Sequence, residues 1–208
     1  MAGVTGPLMS MDASGTVGKT ITFGKWKGRH YVRARVIPNN PKSAGQLGVR
    51  SMFRFLATQW AVLSAPAKAS YEAAALTKAI SAFNQYVSEN SLRWQAFTTP
   101  TQTTPAAEAS TPLTITTAPL TGGIGQITMV ITPSGGTAIW GYAIFRSTAE
   151  ITTPSPANCV AVIEADGANA VTFLDSPLVA GTYHYRVCAF NTDGIKGTVL
   201  ADASATAT

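Results

Sequence analysis

The sequence is poor in the residues that most catalytic and metal sites require. Its 208 residues include only two histidines and two cysteines, and charged residues make up only 12% of the chain. Neither histidine, His30 or His184, stands at a spacing that suits metal ligands, and no GxSxG nucleophile motif is present. We therefore expect no enzyme activity, no cofactor and no bound metal.

Two further features bear on the cellular compartment. The chain has no run of about 18 apolar residues, and its first residues, MAGVTGPLMSMDASG, lack the basic and apolar segments of a signal peptide. We therefore expect no membrane span and folding in the cytoplasm. Cys159 and Cys188 are too few for a disulfide framework, so two free thiols are expected, although a bond between them stays open.

Acidic residues are missing from one long stretch of the chain. Between Asp12 and Glu72 there are ten Lys or Arg residues and not one Asp or Glu. Residues 1–99 carry a net charge of +9, whereas residues 100–208 carry −4. Because a solvated surface usually mixes both signs, we expect the first half to lie against a negatively charged partner. An acidic protein surface, a nucleic acid and a merely solvated face remain the three interpretations.

Two short segments in this basic stretch have the pattern of β-strands. Residues 19–24 (KTITFG) and 29–36 (RHYVRARV) flank a turn that contains Gly24 and Gly28. Strand alternation divides the second segment into a face with Arg29, Tyr31, Arg33 and Arg35 and a face with His30, Val32, Ala34 and Val36. A two-stranded ribbon of this size lacks a sufficient core, so it needs helices or another subunit as a partner.

The following residues have the pattern of helices. Pro38–Pro41 breaks the strand, and Ser43 and Gln46 have the spacing of a capping box. Ser64 and Pro66 then indicate a stop and a second start. The predicted buried positions recur at three- and four-residue steps: Val49, Phe53, Leu56, Trp60 and Leu63, then Tyr71, Leu76, Ile80, Phe83, Tyr86 and Val87.

The remaining sequence predicts a linker and a β-domain. Residues 98–112 (TTPTQTTPAAEASTP) are typical of an extended, semi-stiff linker. Residues 113–208 contain short β-rich segments separated by turn residues, which favours an all-β sandwich with Trp140 in its core and Cys188 away from it. The predicted domains are thus residues 1–97 (an α+β docking domain of β-ribbon and helical hairpin), 98–112 and 113–208.

One motif imitates a phosphate-binding loop. Residues 13–20 (ASGTVGKT) fit a relaxed form of that pattern. A phosphate loop needs a buried strand before it and a helix after it, so that backbone N–H groups meet the phosphates. Here polar residues precede the motif and a β segment follows, so we interpret it as a glycine-rich entry to the ribbon.

The two halves of the sequence each resemble a known family. LVAGTYHYRVCAFNTDGIKG (178–197) resembles the F strand and FG loop of a fibronectin type III-like domain, which implies that Tyr183 makes a corner hydrogen bond and that 140–146 is the C strand. The N-terminal half, with ASGT, WKGRxYVR and PxNPxSxxQ, is similar to small structural proteins of tailed bacteriophages. The second resemblance implies a virion component, made in the host cytoplasm, whose β-domain decorates the particle.

These observations lead to one prediction of function and two alternatives. We expect a non-enzymatic virion protein, a capsid decoration or head-associated protein, which docks onto capsid or connector subunits as a homo-oligomer or symmetric array. The alternatives are a tail- or collar-attached module that binds host-surface glycan or protein, and a DNA-binding protein that uses residues 19–54. Trp26, in a turn between lysines, is the best candidate for an intersubunit anchor. The predicted docking residues are Lys25, Trp26, Lys27, Arg29, Tyr31, Arg33, Arg35, Arg50 and Arg54.

Overall fold

The computed structural model describes residues 2–3, 14–37, 43–109, 114–134 and 139–208. The chain is mixed α+β and forms two compact units, Met1–Pro41 and Lys42–Thr208. The sequence prediction instead joined the ribbon and the helices in one domain. The predicted break at Pro38–Pro41 and the last residues of the predicted linker lie outside the described residues.

The first unit holds a four-stranded antiparallel sheet with the order β1-β4-β3-β2. The predicted strands correspond to its two central members, but the turn was placed too early, because Gly24 and Trp26 lie in the strand Ile21–Trp26 and the turn is residues 27–28. The strand Arg29–Ala34 ends before Arg35, whose backbone N–H donates to Thr20 O at 2.6 Å. The bounds are Ala2–Gly3 (β1), Gly15–Val17 (β2), Ile21–Trp26 (β3) and Arg29–Ala34 (β4). The imitation phosphate loop is therefore a strand and a turn over its described residues, 14–20.

The second unit begins with three helices, Ala44–Val62 (α1), Ala65–Ala75 (α2) and Ala82–Gln95 (α3). Ser64 and Ser81 cap α2 and α3 by accepting hydrogen bonds from backbone N–H groups three residues ahead. Ser43 stands at the N-cap of α1 but makes no capping hydrogen bond through its side chain, so the predicted capping box is not formed.

The rest of the second unit is antiparallel β-structure that fits a β-sandwich. One sheet has the order β10-β7-β5, with β6 also paired to β7; the other has the order β12-β11-β8-β9, with β13 also paired to β11. The strands are Ile115–Thr117 (β5), Leu120–Gly123 (β6), Gln126–Pro133 (β7), Gly141–Ser147 (β8), Cys159–Glu164 (β9), Val171–Asp175 (β10), Gly181–Phe190 (β11), Lys196–Val199 (β12) and Ala203–Ala207 (β13).

Two apolar cores hold this unit together. The first contains residues of both sheets, including Ile127, Ile131, Tyr142 and Val187. The second lies where the helices pack on the sheet of β8 and β11, and it contains the aromatic cluster of Phe55, Trp140 and Phe190 together with Phe145 and Cys188. The predictions for Trp140 and Cys188 were wrong because helices cover the second face of this sheet, so both residues are buried in the core with the helices.

The predicted linker is bound to the helices over its described part. Asn90 is fully buried; its amide oxygen accepts the backbone N–H of Thr101 at 2.7 Å and its amide nitrogen donates to Thr101 O at 3.1 Å. The hydroxyl of Tyr71 donates to the same carbonyl at 3.0 Å, and the backbone N–H of Thr104 donates to Ser70 Oγ. Residues 98–109 are thus a packed segment rather than an extended spacer.

Candidate functional site

The register of the N-terminal sheet places its cationic and aromatic side chains on one face. Trp26 pairs with Arg29, Gly24 with Tyr31 and Thr22 with Arg33 across β3 and β4. Directly opposed residues in antiparallel strands share a face, and side chains alternate along each strand. We call the surface formed by Trp26, Arg29, Tyr31 and Arg33 the cationic–aromatic face.

The ring of the tyrosine on this face lies across Gly24 of the neighbouring strand. A Cβ atom added at Gly24 would lie 2.6 Å from the hydroxyl oxygen of Tyr31 and 2.7 Å from its Cζ, so the ring occupies the space that any other residue at position 24 would fill. The guanidinium carbon of Arg33 lies 5.8 Å from the centroid of the Tyr31 ring. The absence of a side chain at Gly24 therefore lets the Tyr31 ring reach across the neighbouring strand.

Trp26 stands at the end of the same face and is 67% exposed. Lys27, in the tight turn between β3 and β4, places its Nζ 4.7 Å from the centroid of the indole ring, within cation–π range. The turn needs left-handed backbone at both of its residues, since φ is 49° at Lys27 and 80° at Gly28. The tryptophan is therefore presented at the tip of the hairpin rather than packed beneath it.

The opposite face of this sheet is apolar and incompletely covered. It carries Val17, Ile21, Phe23 and Val32, of which Val17 is 53% and Ile21 44% exposed. Among the described residues 14–37 none is buried. Among the described residues, the sheet thus has a cationic face and an apolar face, and both carry exposed side chains.

Helix α1 carries the other two predicted docking residues. Arg50 and Arg54 are exposed, and Val49 and Phe53 beside them are 58% and 52% exposed. We call these four residues the α1 patch. The prediction that Val49 and Phe53 are buried was wrong, because the buried positions of α1 are Gly48, Met52, Phe55, Leu56 and Gln59.

Two contacts with β9 fix the rotation of α1. The backbone N–H of Val162 donates to Ser51 Oγ at 2.7 Å, and Ser51 Oγ donates back to Val162 O at 3.1 Å. A Cβ atom at Gly48 would lie 2.7 Å from Cys159 O, so a larger residue would not fit at this crossing. Since Ser51 and Gly48 must face the strand, Val49 and Phe53 must face outward.

The predicted docking residues thus fall into two groups. Lys25, Trp26, Lys27, Arg29, Tyr31 and Arg33 belong to the N-terminal sheet or its turn, and Arg35 follows directly after β4. Arg50 and Arg54 belong to α1, in the other compact unit. Sequence reasoning missed Gly24, Val49 and Phe53: it placed Gly24 in the turn and the other two in the core, whereas Gly24 lies in β3 opposite Tyr31 and the other two are exposed.

Titratable groups in the β-rich part are bonded to one another. Arg146 donates to both carboxylate oxygens of Asp175 at 2.8 and 2.7 Å, and Asp175 also accepts the hydroxyl of Tyr185 at 2.8 Å. His184 Nδ1 lies 2.6 Å from Asp202 Oδ2. No group of three or more His, Cys, Asp or Glu side chains suited to a metal ion occurs in the part of the chain that the structure describes.

The two thiols are buried and free. Burial raises the pKa of Cys159 and that of Cys188 to about 12, so both stay protonated at neutral pH and are poor nucleophiles. Among the described residues no helix is long and apolar enough to cross a membrane.

Comparison with known proteins gives little to set beside this geometry. No family model matches the chain, and no curated protein matches it. Among solved structures, the chain is similar to a crystal structure of a β-1,2-glucanase from Parabacteroides distasonis, with 22% sequence identity and a TM-score of 0.35. The similarity covers 48% of this chain and 14% of the glucanase. A likeness this distant carries no argument about activity.

Proposed function

We propose that the chain is a non-enzymatic structural protein of a tailed-bacteriophage particle, a capsid decoration or head-associated protein that docks through its basic N-terminal half. The resemblance of that half to small phage structural proteins supports this, together with the ten cations and no acids between Asp12 and Glu72. Its location is the virion, and its partners are acidic surfaces of capsid or connector subunits, contacted repeatedly by symmetry.

The α1 patch carries the docking proposal. Its two apolar side chains are more than half exposed although the helix is locked in rotation, and exposed apolar groups next to arginines are typical of protein interfaces. Arg50 and Arg54 stand one turn apart, so both guanidinium groups reach the same side of the helix. A partner that offers carboxylates around an apolar pocket matches this surface.

The β-rich part is the element that the particle presents outward, as an immunoglobulin- or fibronectin III-like sandwich. The hydroxyl of Tyr183 donates to Val179 O at 2.9 Å, four residues upstream, which agrees with the corner hydrogen bond of that family. The packed segment 98–109 joins the helices to this β-structure. Docking of α1 onto the particle would therefore hold the sandwich in a fixed orientation.

Cosedimentation of the full chain with particles of the phage that encodes it tests the proposal. The Arg50→Gln/Arg54→Gln variant and the Phe53→Ser variant should each bind at least about tenfold more weakly, since interface Arg and aromatic residues dominate docking energy. The Ala69→Glu/Ala73→Glu variant is the control, because it lowers the net charge by the same two units at exposed positions of α2. Equal binding by the α1 variants and the wild type would refute docking through this patch.

A further inference from the structure

We infer that the cationic–aromatic face of the N-terminal sheet is a binding site for single-stranded nucleic acid, with Trp26 and Tyr31 as stacking surfaces for two bases and Arg29 and Arg33 as phosphate contacts. The inference goes beyond the docking of α1, which lies in the other compact unit. It rests on the geometry of residues 14–37 alone.

The two rings are placed as neighbouring base platforms. Trp26 and Tyr31 lie on the same face as diagonal neighbours, because Tyr31 pairs with Gly24, two residues before Trp26; such neighbours are roughly 7–8 Å apart. The Tyr31 ring lies across Gly24, where no side chain stands between it and the strand. Flat aromatic rings on an antiparallel sheet stack unpaired bases, and this stacking tolerates any sequence because every base has a π-face.

The distribution of the cations fits a flexible polyanion better than a flat acidic surface of a protein. Residues 14–37 contain no Asp or Glu and six cations, Lys19, Lys25, Lys27, Arg29, Arg33 and Arg35. These cations lie on both faces of the described sheet, in its turns and at the end of β4. A protein partner would have to meet all of them with one flat acidic surface. A flexible strand of phosphates follows cations around an edge, so a nucleic acid satisfies more of them.

Arg29 and Arg33 are placed to contact the phosphates that link neighbouring bases. Arg29 and Arg33 flank Tyr31 at two-residue steps along β4, so their Cα atoms lie roughly 7 Å from that of Tyr31. The guanidinium carbon of Arg33 lies 5.8 Å from the centroid of the Tyr31 ring, so this arginine can hold a phosphate next to a base that contacts the ring. Docking onto an acidic protein would need the arginines but would not require an aromatic ring that lies across a glycine.

Fluorescence anisotropy of a labelled 15-nucleotide oligo(dT) with the full chain tests the site. If about four phosphates are neutralised, the affinity should fall about sevenfold for each doubling of salt concentration. The Arg29→Gln/Arg33→Gln variant should bind more weakly and depend less steeply on salt. The Lys68→Gln/Lys78→Gln variant, which removes the same charge from the helical unit, should bind like the wild type.

Variants at Trp26 and Gly24 distinguish base stacking from binding by electrostatic attraction alone. Trp26→Ala should weaken binding about 5- to 150-fold with the salt dependence unchanged, whereas Trp26→Phe should retain most of the affinity. Gly24→Ala should also weaken binding, because its Cβ displaces the Tyr31 ring. Amide NMR shifts of residues 14–37 report whether each variant keeps the sheet.

Three results would overturn the inference. One is the lack of binding to oligo(dT) at low salt. Another is equal affinity for oligo(dT) and a duplex or polyglutamate of similar charge number, which would indicate duplex binding or charge alone. The third is loss of binding in the arginine variant while Trp26→Ala and Gly24→Ala bind like the wild type. The α1 variants should bind oligo(dT) like the wild type even when they no longer dock onto particles, so either proposal can be refuted without the other.

Discussion

Replacing Asn90 by alanine should destabilise the helical and β-rich unit more than any exposed Asn-to-Ala change. The Asn90 side chain makes four hydrogen bonds in a fully buried position: its amide nitrogen reaches Tyr86 O, Thr101 O and the Tyr71 hydroxyl at 3.1, 3.1 and 3.3 Å, and its amide oxygen accepts from Thr101 N at 2.7 Å. Removing it leaves the Thr101 N–H without this partner in a site that water does not reach.

The magnitude follows from which groups lose their partner. Thr101 O keeps the Tyr71 hydroxyl, so the main penalty is one buried N–H at about 1–3 kcal/mol, with a smaller loss for the cavity and the weakened carbonyl contacts. We expect a total of about 2–4 kcal/mol. With a urea m-value of about 2 kcal/mol/M, the unfolding midpoint would fall by about 1–2 M.

The assay is equilibrium urea unfolding followed by tryptophan fluorescence, with Asn84→Ala as the matched control. Asn84 is in the first turn of the same helix and is exposed, so its replacement should change the free energy of unfolding by less than about 0.5 kcal/mol. Hydrogen exchange at the Thr101 amide should become faster in Asn90→Ala. A loss below about 1 kcal/mol, or a loss equal to that of the control, would refute the role given to this network.

Three more outcomes follow from contacts of α1 and from the buried thiols. Gly48→Ala should lower the thermal midpoint because its Cβ would meet the Cys159 carbonyl at 2.7 Å, whereas Gly45→Ala, whose nearest contact is 3.9 Å away, should raise stability by up to about 1 kcal/mol in thermal unfolding. Ser51→Ala should cost about 1–3 kcal/mol and speed hydrogen exchange at the amide of residue 162, since the backbone of that residue loses both bonds to the hydroxyl. Cys159 and Cys188 should not react with a thiol reagent at pH 8 in the folded protein and should react fully in denaturant; as their pKa values are raised to about 12, thiolate forms only as the pH approaches that value.

The start of α2 and the alternation of β4 were predictable because they depend on local residues. Ser64 ahead of Pro66 marks the start of α2, and the alternation from Arg29 to Ala34 divides β4 into its two faces. Both signals concern interactions within a few residues, where capping and strand geometry decide the outcome. The same signals place the predicted docking residues of the sheet on or beside one hairpin.

Which helical residues are buried was less predictable, because tertiary packing decides which face of each helix contacts the core. The apolar positions of α1 fit two overlapping stripes, and the contact of Gly48 with β9 selects the one that leaves Phe53 exposed. Leu76 and Ile80 were expected in the core, yet they are 84% and 40% exposed, because α2 ends at Ala75 and the chain turns through left-handed backbone at Ala79. No local pattern shows where such a turn will fall.

The packed state of residues 98–109 also escaped prediction, and it changes how the charge asymmetry should be understood. Thr and Pro favour an extended segment, but Asn90 and Tyr71, far away in sequence, supply the hydrogen bonds that hold that segment in place. The division of charge at about residue 100 therefore runs through one compact unit, whereas the compact units divide at Pro41 and Lys42. The cations of the sheet and those of α1 belong to different units, so one continuous docking surface is not required to explain them. The two basic surfaces differ in the side chains beside their cations: a tryptophan and a tyrosine on the sheet, and a valine and a phenylalanine in the α1 patch. They are therefore suited to two different negatively charged partners.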